Sequence, residues 1–353
     1  MRAARFHGQG DIRIEEVEEP ATRPGAVKIA VEWCGICGTD LHEYLEGPIF
    51  IPPPGEPHPL TGEELPVILG HEFSGIVSEV GDGVDDLAVG DPVVVEPYHT
   101  CGECPPCRAG RYNTCQKLGF IGLMGGGGGL SEYVVVDRKW IHPIGNIPTD
   151  HAALVEPLAV AHHAVKISGI EEGQTAVVFG AGPIGLVTIE CLDAAGAGTI
   201  IAVEPAAARK ERAGRAGADH VLDPTEVDVP ARVLELTGGE GADRAFECAG
   251  IDAVMADAVA SVRAGGTVVN VAIWGHAAEF DFNSLVMKEV NVVGTLAYCG
   301  DHEETIELLG SGQVDAEQLI TAKIGLDDLV SGAFEELVNN KVEHVKILVS
   351  PTM

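Results

Sequence analysis

Apolar positions in the first 155 residues come in short runs with valine and isoleucine at near-alternating places. VKIAVEWCG (27–35), GIVSEVG (75–81), DPVVVEP (91–97) and SEYVVVD (131–137) are each bounded by Gly, Pro or Asp. A period of two predicts strands, so this region reads as a β-rich module with long loops. The proline-rich stretch at 47–59 is excluded from a central strand or a helix interior. The glycine run at 125–129 is too flexible for either element. From about 160 the pattern changes to short continuous apolar runs: TAVVFG (175–180), GTIIAVE (198–204), DHVLD (219–223), DRAFECAG (243–250), GTVVNVA (266–272) and VNVVGTL (290–296). Helical stretches such as 184–196 and 206–217 separate them. Strands alternating with helices predict βαβ units and a parallel sheet covered on both faces, an α/β class. From about 297 mixed helices return, and VKILVS (345–350) reads as a closing strand.

Composition narrows the possible partners. A length of 353 residues favours two domains. Only 22 basic side chains stand against 54 acidic ones, a net charge of −32. Such a surface repels phosphate backbones, which argues against nucleic acid and anionic membrane as partners. A hydrophobic content of 46% excludes a disordered acidic chain. The N-terminus, MRAARFHGQGDIRI, has no apolar signal core. The longest apolar stretch, 176–192, is interrupted by Gly180, Gly182, Pro183, Gly185 and Glu190 and makes no membrane span. Nine cysteines, four of them clustered, point to metal binding in a reducing cytoplasm rather than to disulfides.

Three motifs carry chemistry. Cys101, Cys104, Cys107 and Cys115 follow a C-x2-C-x2-C-x7-C spacing. Four thiolates there can close a tetrahedron around a structural zinc and leave no position for water. A nucleic-acid zinc ribbon is the rival, and the surrounding charge argues against it. The second group is dispersed: Cys34, Cys37, Thr39, Asp40 and His42, then His71 and Glu72, then Glu156. Cys34 and Cys37 also spell a redox CxxC, but no thioredoxin-like strand and helix frame them. Cys, His and carboxylate ligands with one open position describe a catalytic zinc. The third is Gly180-Ala-Gly182-Pro183-Ile184-Gly185 between a strand and a helix, with Glu204 nineteen residues beyond Gly185. That context reads as a dinucleotide fingerprint, with pyrophosphate at the helix N-terminus and the acid on the adenosine ribose. Pro183 fits the first helical turn, which needs no amide donor there. Glu204 would repel a ribose phosphate and so favours NAD over NADP, while Arg209 is the counter-signal.

The stretch G-H-E-x2-G-x5-G-x2-V from Gly70 to Val84, with the cysteine lobe, resembles the zinc-containing medium-chain alcohol and polyol dehydrogenases along the whole chain. The segments at 33–52, 58–66, 70–75, 119–134 and 154–160 look most like the bacterial 2,3-butanediol dehydrogenase branch. The resemblance implies that Cys37 and His71 are zinc ligands and that Glu156 holds the third-ligand position. It leaves Glu72 to bind the metal directly or to exchange with water or Glu156. Thr39 and His42 match a proton relay. Asp40 reads as a surface or loop-capping aspartate, with orientation of its neighbours as the alternative. Ile184 is expected to pack behind the nicotinamide, and Arg209 to contact the adenosine ribose. Ile273 and Trp274 either approach the nicotinamide amide or belong to the sheet core.

The architecture implied is a discontinuous GroES-like catalytic domain (1–157 and 294–353, with the zinc lobe near 98–118) wrapped around a Rossmann domain (158–293), with the active site in the cleft. The implied activity is zinc- and NAD-dependent interconversion of 2,3-butanediol and acetoin, a small diol or hydroxyketone being the substrate and two zincs being held per subunit. Sugar, polyol and threonine dehydrogenases are the rivals of the same class. A non-enzymatic NAD-binding relative is the rival of another class, and the complete ligand and relay set argues against it. A homodimer or homotetramer through 290–298 is expected.

Other candidates rank lower. His162 and His163 are adjacent on a helical segment and should face different directions. His58 and His99 read as loop residues, and Cys191, Cys248 and Cys299 as small core positions. Nearly all the excess acid must be solvated surface. High-salt adaptation is one hypothesis for it, and equal stability without added salt would remove that idea.

Overall fold

The alternating valines of the first 155 residues do become strands. The computed structural model describes residues 1–353. Ten strands precede residue 150: β1 (Arg2–Gly8), β2 (Asp11–Glu16), β3 (Ala26–Gly35), β4 (Val67–Ile68), β5 (Glu72–Val80), β6 (Pro92–Val95), β7 (Tyr98–His99), β8 (Gly119–Phe120), β9 (Tyr133–Asp137) and β10 (Ile141–Pro143). Helix α1, Gly38–Glu46, follows β3 directly. The hairpin of β1 and β2 was not read from the sequence, because DIRIEE exposes or half-exposes every side chain and shows no apolar face.

The second set of strands is β11 (Thr175–Phe179), β12 (Thr199–Val203), β13 (His220–Leu222), β14 (Ala242–Glu247), β15 (Val262–Asn270) and β16 (Asn291–Gly294). They form one all-parallel sheet in the order β13-β12-β11-β14-β15-β16. The order reverses between β11 and β14, the switch point where such sheets open a crevice at their carboxyl ends. Val177, Val178, Ile200, Ile201 and Phe246 are at most 1% exposed, which accounts for the continuous apolar runs.

The chain then returns. β17 (Ile320–Gly325) and β18 (Lys346–Ser350) complete the first sheet, ordered β10-β6-β5-β3-β18-β17 with β9 on β3. The first unit therefore comprises Met1–Glu156, His302–Gly310 and Ala316–Met353, and the second Pro157–Asp301 and Ser311–Asp315. The second crossing falls at His302 rather than at 294, because β16 is still paired along β15.

The glycine run lies outside strand and helix, but it is tightly packed. The Gly126 amide donates to Glu63 Oε1 at 2.9 Å, His99 Nε2 pairs with the Gly125 carbonyl at 3.2 Å, and the Thr61 hydroxyl donates to the Met124 carbonyl at 2.7 Å. Side chains added at 126 or 129 would strike His99 or Phe73. Lack of room, as much as flexibility, requires glycine here. His58 is likewise buried, its ring lying against Gly119. No helix is long and apolar enough to cross a membrane.

Candidate metal and dinucleotide sites

β3 delivers Cys34 into the core and then ends, and Cys37 caps the helix that follows. Cys34 and Cys37 are both free, Cys34 buried and Cys37 half-buried. Cys37 Sγ lies 3.8 Å from Thr39 Oγ1. Thr39 is half-buried and His42, one turn on, is exposed. Asp40 is fully buried and is no surface residue. Its Oδ2 accepts the Cys37 amide at 2.9 Å, and its Oδ1 faces His71 Nδ1 at 3.6 Å. It therefore caps the helix and orients the histidine together.

His71 and Glu72 arrive from 34 residues away, where the turn before β5 runs through Gly70 at φ +97. A Cβ at Gly70 would sit 2.6 Å from Cys34 Sγ, so the turn presses directly on the strand that carries Cys34. The Gly129 amide closes it by donating to the Gly70 carbonyl at 2.7 Å. The ligand atoms of Cys37, His71 and Glu72 then lie within 4.8 Å of one another. His71 Nδ1 and Asp40 Oδ1 are buried and without hydrogen-bond partners. Burial works against protonation of His71, yet Asp40 and Cys37 outweigh it and raise its pKa well above the usual imidazole range. This pocket favours positive charge, and its donor set fits a zinc ion.

Glu156 is also buried but is not one of those three grouped ligands. The residue that sequence reading missed is Lys346. Its Nζ lies 2.7 Å from both Glu72 oxygens and 3.1 Å from the Ile36 carbonyl, and its side chain is buried. Burial would lower the lysine pKa, but Glu72, Cys37 and Glu156 overcome this and raise it. The only sequence signal was one charge in an otherwise apolar strand, VKILVS.

The four cysteines at 101–115 come together on one loop with all Sγ atoms within 4.8 Å. Cys101 and Cys115 sulfurs are 3.5 Å apart, and Cys104 and Cys115 sulfurs 3.9 Å. A tetrahedron with ~2.3 Å zinc–sulfur bonds has edges of roughly 3.8 Å, so the cage fits the ion. Amides of Gln116 and Cys107 lower the Cys104 thiol to about 6, while burial and the Cys104 thiol push Cys107 up to about 12.

In the second unit, the turn after β11 carries the glycines. Gly180 has φ +92 and donates its amide to the Val203 carbonyl at 2.9 Å. A Cβ at Gly185 would collide with the Gly180 carbonyl, whereas one at Gly182 would meet nothing within 4 Å. The tight turn, the open backbone and the close helix packing are thus each assigned to one glycine. Pro183 opens helix α2, Pro183–Ala194. Ile184 is half-buried. Glu204 is buried, with Oε2 accepting the Ala181 amide and Oε1 the Ala206 amide, each at 2.9 Å. The acid thus braces the glycine turn. Arg209 is half-buried, and Lys210 beside it pairs with Asp223. Ile273 is 57% exposed and so is not sheet core, and Trp274 donates its Nε1 to Asn270 at 2.8 Å.

His162 and His163 do not diverge. Both Nδ1 atoms lie 2.9 Å from the two oxygens of Asp301. Adjacent helix positions differ by about 100°, and one buried carboxylate set between them spans that difference. Cys191 is core, whereas Cys248 and Cys299 are only part-buried.

Comparison with known proteins agrees with this layout. Residues 23–146 match the model of the alcohol dehydrogenase GroES-like domain, and residues 183–311 that of zinc-binding dehydrogenase. An (R,R)-butanediol dehydrogenase of Neisseria gonorrhoeae is 52% identical over 100% of both chains. The crystal structure of 2R,3R-butanediol dehydrogenase from Bacillus subtilis superposes with a TM-score of 0.94 at 48% identity, covering 99% of each chain. A protein from Sinorhizobium meliloti described as a zinc-binding dehydrogenase, bound to NADP, gives 0.87 at 33% identity over 99% of each. The chain belongs to the zinc-binding alcohol dehydrogenase family, and it is an oxidoreductase of the GroES-like plus Rossmann architecture.

Proposed function

We propose that this enzyme interconverts (R,R)-2,3-butanediol and acetoin with NAD as hydride carrier. The observation that carries the reading is the Cys37–His71–Glu72 group beside a half-buried Thr39 and an exposed His42. The butanediol dehydrogenases that match along the whole chain support the substrate class.

A carbinol gives up hydride only once its hydroxyl proton is leaving. Zinc, when bound, supplies the Lewis acidity that makes an alcohol acidic near neutral pH. Cys37 and His71 would hold it, with Glu72 and Glu156 as the two carboxylates available. Thr39 Oγ1 accepts the substrate proton, and His42, at the exposed end of the relay, passes it to water. Asp40 keeps His71 turned so that its other ring nitrogen is presented to the metal. Lys346 neutralises Glu72, so the buried carboxylates do not accumulate negative charge around the substrate oxygen. The cysteine lobe holds a second, structural zinc. The glycine turn takes the pyrophosphate, and Glu204 disfavours a 2′-phosphate, so NAD is used rather than NADP. The enzyme works in the cytoplasm as a dimer or tetramer, assembled through the edge strand β16, where Val292 is exposed, and the segment just after it, where Leu296 is exposed.

Chiral product analysis tests this reading. Each butanediol isomer is offered with NAD or NADP, alongside sorbitol, threonine and glucose. The (R,R) isomer with NAD is expected to give the highest kcat/KM, and preference for any of the other three substrates would overturn the assignment.

A further inference from the structure

The carboxyl end of the parallel sheet holds a buried acid to which the chemistry above gives no part. Register sets Val203 beside Phe179, Phe179 beside Glu247 and Glu247 beside Asn270. These are the last residues of β12, β11, β14 and β15, so the turns that follow all start from one row. Glu247 is 0% exposed. Its Oε1 accepts the Ala249 amide at 2.9 Å and the Gly250 amide at 2.8 Å. Its main-chain carbonyl accepts the amides of Val271 at 2.9 Å and Ala272 at 3.1 Å, which open the turn after β15. One residue thus ties down two turns.

Those turns lie against each other and against the glycine turn. Gly250 has φ +67, and a Cβ there would meet the Ile273 carbonyl at 3.5 Å and Ala272 Cβ at 3.6 Å. A Cβ at Gly180 would come 3.5 Å from Ala249 Cβ. Stability alone does not account for an acid in this place. Glu247 Oε2 is buried without a hydrogen-bond partner, and an orphaned oxygen works against folding. Burial pushes the carboxyl above its ordinary range, against the amides of Ala249, Gly250 and Ile251.

Topology says which ligand these turns face. β12 and β13 lie on one side of β11, and β14, β15 and β16 on the other. In a doubly wound sheet each side takes one mononucleotide half, with the pyrophosphate between them. Glu204 follows β12 and marks the adenosine side, so the turns after β14 and β15 stand on the nicotinamide side. The two buried acids are counterparts. Glu204 holds the amides of Ala181 and Ala206, and Glu247 those of Ala249 and Gly250.

We propose that Glu247 is a positioning residue for the nicotinamide half of the cofactor, acting through the turns at 248–251 and 271–274. This rests on the reading that the glycine turn takes a dinucleotide. Loss of the side chain frees the first turn directly and the second through its contact at Gly250, and binding must then order both. The glycine turn keeps its own ties, Gly180 to Val203 and Ala181 to Glu204, so its hold on the pyrophosphate does not depend on Glu247.

The test titrates zinc-loaded enzyme with NADH, followed by fluorescence, and with ADP, which lacks the nicotinamide half, followed by calorimetry. Glu247→Ala should raise Kd for NADH about 10-fold or more and leave Kd for ADP within about threefold of wild type. Glu247→Gln keeps an oxygen for the same amides and should stay within about threefold for both ligands. If Glu247→Ala does not fold, Glu247→Asp, one methylene shorter, carries the test, with a rise of at least about threefold for NADH alone. An unchanged Kd for NADH overturns the proposal, and so do equal losses of NADH and ADP, the mark of general structural support. A Gln variant as weak as the Ala variant overturns it too, because the acceptor oxygen would not be the brace. Wild-type enzyme that binds neither NADH nor NADPH overturns the dinucleotide reading itself.

Discussion

The cysteine lobe and the Cys37–His71–Glu72 group both gather atoms able to hold a metal within 4.8 Å, but they do so by opposite means. The lobe draws every ligand from fifteen consecutive residues, and local amides tune its thiols. The other group needs the end of β3, the turn before β5 and, for its balancing charge, a lysine on β18 that is 274 residues from Glu72. A local cage can exist as soon as its loop closes, and metal binding itself supplies much of the folding energy. A dispersed group exists only once the sheet has registered β5 and β18 on either side of β3. The first is therefore expected to govern stability and the second chemistry.

Removing one ligand from each region is the sharpest test of that contrast. Cys37→Ala should lower kcat/KM by roughly 10^4-fold while NAD binding and Tm stay near wild type. Parent-like turnover would break the assignment. Cys104→Ala should instead lower Tm by about 10 °C or more and remove one zinc per chain, with the remaining folded enzyme turning over within about threefold of wild type. Metal analysis paired with calorimetry checks both variants, and a large fall in kcat for Cys104→Ala would erase the distinction.

Lys346→Met probes the long-range member of the dispersed group. It leaves the Glu72 charge buried without its partner and should cost roughly 3–5 kcal/mol in denaturant titration. Adding Glu72→Gln should restore much of that loss if the charge pair is the cause. A smaller effect is expected at Asp301, which ties His162 and His163 within the second unit. Asp301→Asn should cost about 1–3 kcal/mol at neutral pH. Burial opposes ionisation of Asp301, but the two histidines outweigh it and hold its carboxyl well below the ordinary range. Its contribution is therefore complete above the ordinary carboxylate value, about 3.9, and is lost as pH falls toward the depressed folded value. The Tm gap between mutant and wild type should begin to narrow only below about pH 4 and close as pH nears the depressed folded value, and a gap that never narrows would rule out the ionised form as its source. The smallest expected effect is a rise of a few degrees in Tm with added KCl, as screening relieves the self-repulsion of a chain at −32. Indifference to salt would remove that idea.

Legibility followed the same division. The parallel strands could be read because burial on both faces leaves continuous apolar runs, as in TAVVFG. β2 could not, because neither of its faces is core. The four-cysteine spacing is a local geometric code, and so is the glycine turn. The pairing of His162 with His163 was misread because periodicity describes directions around a helix and says nothing of what lies between two of them. Asp40 and Glu43 look like ordinary helix-surface acids in DLHEYLEG, yet both are fully buried. The hydrogen bonds of Glu43 and that of Asp40 to Cys37 come from backbone amides, which leave no mark in the residue letters.

By itself the sequence determined the fold class, the two kinds of unit, the local four-cysteine cluster and the residue types able to hold a metal. Each of these depends on spacing or periodicity over a few dozen residues at most. Only the tertiary structure decided that Lys346 balances Glu72, that Asp40 backs His71, and that Glu204 braces the turn at Ala181. It also decided that Glu43 holds an apolar loop in place. Those pairings join atoms that are close only after strands have registered and water has been excluded. A buried charge must find a partner wherever the fold brings one, whatever the distance along the chain.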